Sequence, residues 1–200
     1  HSQSPYSMFM NLAGLKVILP STPYDMKGLL KAAIRDDNPV MSFESNRLMG
    51  LEGDVPDEDY IVPIGKADIK REGSDITVVG IAWMVQEALA AAETLDKEGV
   101  SVEVLDPRTL APMDGETVRA SIRKTGRLLV ADEAGPTAGA SAEIISLATE
   151  DPETFKAMKA PARRVCALDA PIPYSPVLED HVFPNRERIA EGIRAVLSAG

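Results

Sequence analysis

Between Asp75 and Leu197 the chain alternates short apolar runs with amphipathic stretches, and this rhythm restricts the fold more than any other feature. "DITVVGI" (75–81), "VSVEVLD" (100–106), "RLLVADE" (127–133) and "ARRVCAL" (162–168) have strand length and strand composition. Between the first two, Met84–Glu98 gathers Met84, Val85, Ala88, Leu89, Ala92 and Leu95 on one helical face, and Gly99 ends it. Asp114 opens and Gly126 closes a second helix, Ser141–Thr149 reads as a third, and Arg186–Leu197 as the last. Strands separated by helices of this length demand right-handed crossovers and a parallel sheet covered on both faces. The expected fold class is α/β, with a three-layer unit and a mostly parallel sheet.

Upstream, the chain reads strand, helix, strand. "LKVILP" (15–20) is an apolar run ended by proline. Ser21 or Thr22 can cap the following helix, Pro23 suits its first turn, and Asp25 complements its positive end. Leu29, Leu30, Ala33 and Ile34 form its apolar stripe, "DDNP" stops it, and "VMSFE" (40–44) reads as a buried strand. From about Gly50 to Gly73 the periodicity disappears into Gly, Pro and acids. That segment is expected to be an exposed connector, with a short strand at Tyr60–Ile64. The expected units are therefore 1–50, a linker over 51–73, and 74–200.

A formal charge of −10 opposes nucleic-acid binding and an anionic membrane surface. No apolar run reaches the ~20 residues of a spanning helix. One cysteine, Cys166, leaves no internal disulfide and fits a reducing compartment, either bacterial cytoplasm or an organelle matrix.

Single motifs say little. The loop "DEAGPTAGAS" (132–141) leaves a strand for a helix but fits neither phosphate-binding glycine pattern, so it reads as a turn. Asp132 and Glu133 are adjacent on a strand and point to opposite faces, which favours structural roles. Cys166 reads as core, and His181 as a loop residue without partners for a metal. "RDDNP" (35–39) ends a helix whose free carbonyls can hold a cation, although such segments mostly face solvent.

Read together, "HSQS", "GLKVILPSTPYDMKGLLKAAIRDDNPV", "VPIGKADIKREGSDITVV", "VEVLDPRTLAPMD", "KTGRLLVADEA" and "PIPYSPVLED" resemble one family. It is the beta subunit of the thiamine-diphosphate-dependent first component of 2-oxo acid dehydrogenase complexes, and the resemblance runs in order over essentially the whole chain. It implies part of a transketolase-like pyrimidine-binding domain, followed by a transketolase C-terminal domain. It also implies a longer N-terminal portion carrying the glutamate that activates the cofactor's aminopyrimidine ring. This chain by itself is accordingly expected to be inactive.

The implied activity of the intact enzyme is oxidative decarboxylation of pyruvate, with acyl transfer to a lipoyl group. The neighbouring alternatives are acetoin and branched-chain 2-oxo acid dehydrogenases, since "NLAGLK" and "SFESNRLMG" depart from the aromatic-richer pattern of many pyruvate enzymes. An alternative of another class is a subunit-assembly module. The implied cofactor is thiamine diphosphate with magnesium, its diphosphate held by an alpha subunit, so no cofactor ligand is expected here.

The implied partners are that alpha subunit, a second beta subunit in a heterotetramer, and the lipoyl-bearing acyltransferase. His1 matches the family's histidine near the reactive thiazolium carbon. An imidazole there can protonate a leaving sulfur and orient a substrate carboxylate. Ala33, Ile34, Asp36 and Asn38 match the segment whose main-chain oxygens hold a structural potassium ion.

Overall fold

The computed structural model describes residues 2–200, so the His1 assignment lies outside the described residues. The first helix, α1 (Tyr6–Met10), leads into β1 (Lys16–Ile18), α2 (Pro23–Ile34) and β2 (Val40–Ser42). β1 and β2 run parallel with Lys16 opposite Val40. α2 starts where Thr22 accepts a hydrogen bond from the Asp25 amide at 3.1 Å, with Pro23 in the first turn.

Two expectations for this region need correction. β2 is half-buried rather than buried, because it is an edge strand. In α2, Leu29 is fully buried, but Leu30 is 42% and Ile34 77% exposed, so the apolar stripe is wider than the face this chain covers.

The second sheet has the order β3 (Asp68–Arg71), β5 (Val102–Asp106), β4 (Ile76–Gly80), β7 (Leu128–Asp132) and β8 (Arg163–Cys166). All of its neighbours are parallel except β3 and β5. α3 (Met84–Asp96) links β4 to β5, and α4 (Gly115–Thr125) links β5 to β7. Asp114 caps α4, and Gly126 ends it at φ 75°, as the sequence required. α5 (Ala140–Thr149) and α6 (Pro152–Ala157) precede β8, and α7 (Pro176–Val182) and α8 (Arg186–Leu197) follow it.

α3 and α8 pack on one face over Val78, Val104, Leu129 and Val165. α4 and α5 cover the other face over Val79, Leu105, Leu128 and Val130, where Tyr6 and Val17 of the first unit also pack. Each fully buried aliphatic side chain is worth ~1.5–3 kcal/mol, against ~0–1 kcal/mol for a surface ion pair, so apolar burial holds these layers.

Three departures come from pairing between distant segments. The strand expected at Tyr60–Ile64 is absent, since Pro63 cannot donate to a ladder. That segment instead covers α2: Val62 is 3% exposed and Tyr60 stacks on Tyr24 at 4.5 Å. The connector's strand is β3, later in the chain, antiparallel to β5. Finally, β6 (Thr109–Ala111) follows β5 yet adds to the first sheet, antiparallel to β1. The "PRTLAP" stretch thereby ties the two sheets together.

The Tyr60–Val62 crossing explains a glycine inside α2. A Cβ at Gly28 would stand 2.4 Å from Val62 Cγ2 and 2.9 Å from the Val62 amide nitrogen. Gly28→Val should therefore destabilise the chain by ~1–3 kcal/mol, the small helix-propensity gain over glycine being outweighed by the overpacking. Urea unfolding measures it, and an unchanged midpoint would show that the connector yields freely.

Candidate active site

The order of the second sheet fixes where a site can form. The chain leaves β4 toward β5 on one side, then returns past it to β7 on the other. Beyond the C-terminal ends of β4 and β7 a crevice is left between crossovers that diverge, the usual ligand position in open α/β sheets. A cleft of about 310 Å³ lies there, reached by Ala82 just past β4 and Glu133 just past β7. Ala82 is 2% exposed and holds φ at 53°, a left-handed conformation that non-glycine residues avoid. Strain of that kind is of order 1–3 kcal/mol and concentrates at functional sites.

The rest of the cleft comes from the first unit and from α7. Ser2–Tyr6 line one wall and Phe43–Arg47 another, with Ile172–Tyr174 across from them. Phe43 is anchored because its amide donates to Ile18 O at 3.0 Å, continuing the β1–β2 ladder. Its ring meets Tyr6 edge-on at 6.0 Å and Phe9 at 5.5 Å. Beyond it the chain turns through the short 3₁₀ segment Asn46–Leu48. There Arg47 lies over the Phe183 ring at 4.9 Å, beside Asp180 at 3.4 Å and Glu179 at 3.8 Å. His181 is an exposed residue of α7, not of a loop: Pro176 supplies a helical first turn that the sequence reading passed over.

Asp132 and Glu133 divide as strand geometry requires. Asp132 is wholly buried and accepts hydrogen bonds from the Tyr6 hydroxyl, from Ala134 N at 2.9 Å and from Ser141 N at 3.3 Å. These bonds occupy amides that a phosphate loop would offer to a ligand, so "DEAGPTAGAS" is the turn it was expected to be. Burial pushes the Asp132 carboxyl up and the Tyr6 hydroxyl well up.

Glu133 differs. It is 9% exposed, opens onto the cleft, and accepts from Ser45 Oγ at 3.3 Å. Burial, helped by the charge of Asp132, raises it to about 7 despite the opposing effects of Ser45 and Arg47. The sequence reading gave Glu133 a structural role. The signal for more was available: an acid at the C-terminal end of a parallel strand beside β4, the central strand of its sheet.

The cation-segment residues lie elsewhere, at the end of α2. Ala33 O accepts from Asp36 N at 3.2 Å. The Asp36 side chain pairs with Lys16 and accepts from Asn38 N at 2.9 Å and Asn38 Nδ2 at 3.3 Å. The Lys16 hydrogen bond holds that carboxyl below its ordinary value. Cys166 is buried, its thiol 3.5 Å from Ser141 Oγ, and sits in the core as expected.

A strained turn and a buried acid thus flank a cleft at the switch point of a mixed but largely parallel α/β sheet. The transketolase C-terminal domain model matches residues 65–189, and the transketolase pyrimidine-binding domain model matches residues 1–50. The chain belongs to the transketolase-like family and resembles its 2-oxo acid dehydrogenase beta subunits.

It is 45% identical over 200 residues to the beta subunit of acetoin:2,6-dichlorophenolindophenol oxidoreductase of Cupriavidus necator, covering 100% of this chain and 59% of the relative. It is 43% identical to the 2-oxoisovalerate dehydrogenase beta subunit of Bacillus subtilis, covering 97% and 59%. It is 41% identical to the pyruvate dehydrogenase E1 beta subunit of the same organism, covering 98% and 60%. The chain thus spans under two thirds of these relatives' length. A solved split-gene transketolase, described as an inactive beta4 tetramer, superposes with a TM-score of 0.82 at 23% identity, covering 96% of this chain and 60% of that one, and shares the fold. No helix among the described residues is long and apolar enough to cross a membrane.

Proposed function

We propose that the chain is the C-terminal portion of the beta subunit of a thiamine-diphosphate-dependent 2-oxo acid dehydrogenase, with pyruvate as substrate and a lipoyl group as acyl acceptor. The observation that carries this reading is the cleft between β4 and β7, walled by both matched regions. Its lining does not suit the diphosphate, since Glu44, Glu133 and Glu179 face it, while Arg47 offers a guanidinium to a substrate carboxylate. The diphosphate and its magnesium then fall to an alpha subunit. The cofactor, when bound, supplies the electron sink that decarboxylation needs. This chain supplies walls, buried hydroxyls and the Glu133 carboxyl.

Exposed Ile34, Val177 and Leu178 offer apolar surface for the alpha, second beta and acyltransferase partners. The proposed domain division is 1–50, 51–73 and 74–200, with β3 at the end of the middle segment pairing into the second sheet, and the proposed compartment is cytoplasm or organelle matrix. The test is dye-linked oxidation of pyruvate, 3-methyl-2-oxobutanoate and acetoin by the enzyme assembled with an alpha-type subunit. Pyruvate should give the highest kcat/KM. Activity on acetoin alone would favour the second reading, which the 45% identity to an acetoin enzyme's subunit supports.

Two site assignments rest on the same reading. His1 is the proton donor of the acyl-transfer step, and His1→Ala should lower turnover by ~100- to 10,000-fold while leaving cofactor affinity unchanged. Near-normal turnover would remove the assignment. The oxygens of Ala33, Ile34, Asp36 and Asn38 hold potassium, because carbonyls at a helix C-terminus have no following turn to satisfy them fully. Potassium at 100 times its Kd should stabilise the chain by ~2.7 kcal/mol relative to lithium at equal ionic strength. Equal melting temperatures in the two salts would exclude the site.

A further inference from the structure

We propose that Glu133 is a positioning residue of this cleft, acting through Ser45: its carboxyl ties the segment after β2 to the end of β7 and, when ionised, repels an entering substrate carboxylate that the Arg47 guanidinium attracts. This rests on the 2-oxo acid reading above and adds to it a residue and a pH dependence. Three observations converge. Glu133 is nine-tenths buried yet opens onto the cleft, so its charge acts through little solvent. Its hydrogen-bond donor among the described side chains is Ser45 Oγ at 3.3 Å, two residues from Arg47. Arg47 itself is only loosely committed elsewhere, with Asp180 at 3.4 Å and Glu179 at 3.8 Å.

The groups that face Glu133 can be named from every side. Asp132 of β7 disfavours its ionised form, and Ser45 and Arg47 favour it. Tyr6 of α1, whose own hydroxyl feels the Glu133 charge, lines the cleft with Glu44 and, from α7, Glu179. Neutral Glu133 leaves Arg47 to an incoming carboxylate. Ionised Glu133 adds a fixed negative charge to the same cleft, which repels that carboxylate without pairing with the guanidinium. Because the group titrates near 7, the competent fraction falls as pH rises through neutrality. Apparent affinity scales with that fraction, so KM should rise about tenfold from pH 6 to pH 8.

The experiment is steady-state kinetics of the assembled enzyme on pyruvate from pH 6 to 8, comparing wild type with Glu133→Gln and Glu133→Ala. Glutamine can still accept from Ser45 Oγ but carries no charge. E133Q should hold KM low and flat across the range, while E133A, which loses the tie, should raise KM at every pH. A wild-type KM that does not rise, or one that rises equally in E133Q, overturns the proposal.

Failure of the functional reading is separate: wild-type enzyme turning over no 2-oxo acid at any pH. The proposal is then decided on the chain itself, by carbon-13 NMR titration of the Glu133 carboxyl. Its midpoint should lie near 7 and move upward in both Ser45→Ala and Arg47→Met; a midpoint in the ordinary glutamate range, or one that neither variant moves, overturns it.

Discussion

Asp25→Ala should cost ~3–5 kcal/mol, because it removes the fully buried one of the two acids that a pair of buried cations share. Asp25 is fully buried at the start of α2. Its Oδ2 lies 2.6 Å from Lys70 Nζ on β3, and its Oδ1 lies 2.7 Å from Arg108 Nη2 beyond β5. Asp68 shares both cations at 2.8 Å, but it is partly exposed. Asp106 stands 3.8 Å from Lys70, and burial raises its carboxyl to about 6, so it is a weak substitute for Asp25.

Without Asp25, Lys70 and Arg108, each with only 13% of its side chain exposed, keep their desolvation cost and lose their closest partner. The same residue secures the start of α2 through Thr22. At ~2–4 °C per kcal/mol for a chain of this size, the melting temperature should fall by roughly 10 °C. A loss under ~1 kcal/mol by urea unfolding would mean that the network has rearranged, and that β6 and apolar contact hold the two sheets together without it.

What the sequence discloses about this fold follows from the range of the interactions involved. The stripes of α3 and α8 and the runs of β4, β5 and β7 are local patterns, and each forms within a residue or two of its expected bounds. Thr22, Asp114 and Gly126 act at helix ends through bonds that span three or four residues, so their roles are legible too. β3 and β6 are different. Each is short, and each owes its existence to a partner far away in the chain, which periodicity cannot register. The exposure of Ile34 and the edge position of β2 are likewise properties of what does or does not cover them.

The candidate site divides the same way. Its place at the end of a parallel strand was legible from the strand–helix alternation. The burial of Glu133 was not, because it depends on Ser45 and on the wall formed by α1. Family resemblance supplied His1, which no local pattern singles out, and gave weight to the cation segment, where the helix end offered only a weak local signal.

The account places substrate in the cleft between β4 and β7, and Ser45→Trp tests that placement most directly. Ser45 is partly buried on the cleft wall, where an indole would fill space that a ligand needs. Misplacing a reactant by about 1 Å costs on the order of 100-fold in rate, and blocking its position should cost at least that. The measurement is pyruvate turnover of the assembled S45W enzyme beside its circular dichroism and melting temperature. The expected result is a loss of at least ~100-fold in kcat/KM in a protein that still folds and assembles. Turnover near the wild-type rate in folded, assembled S45W would show that the reaction takes place elsewhere.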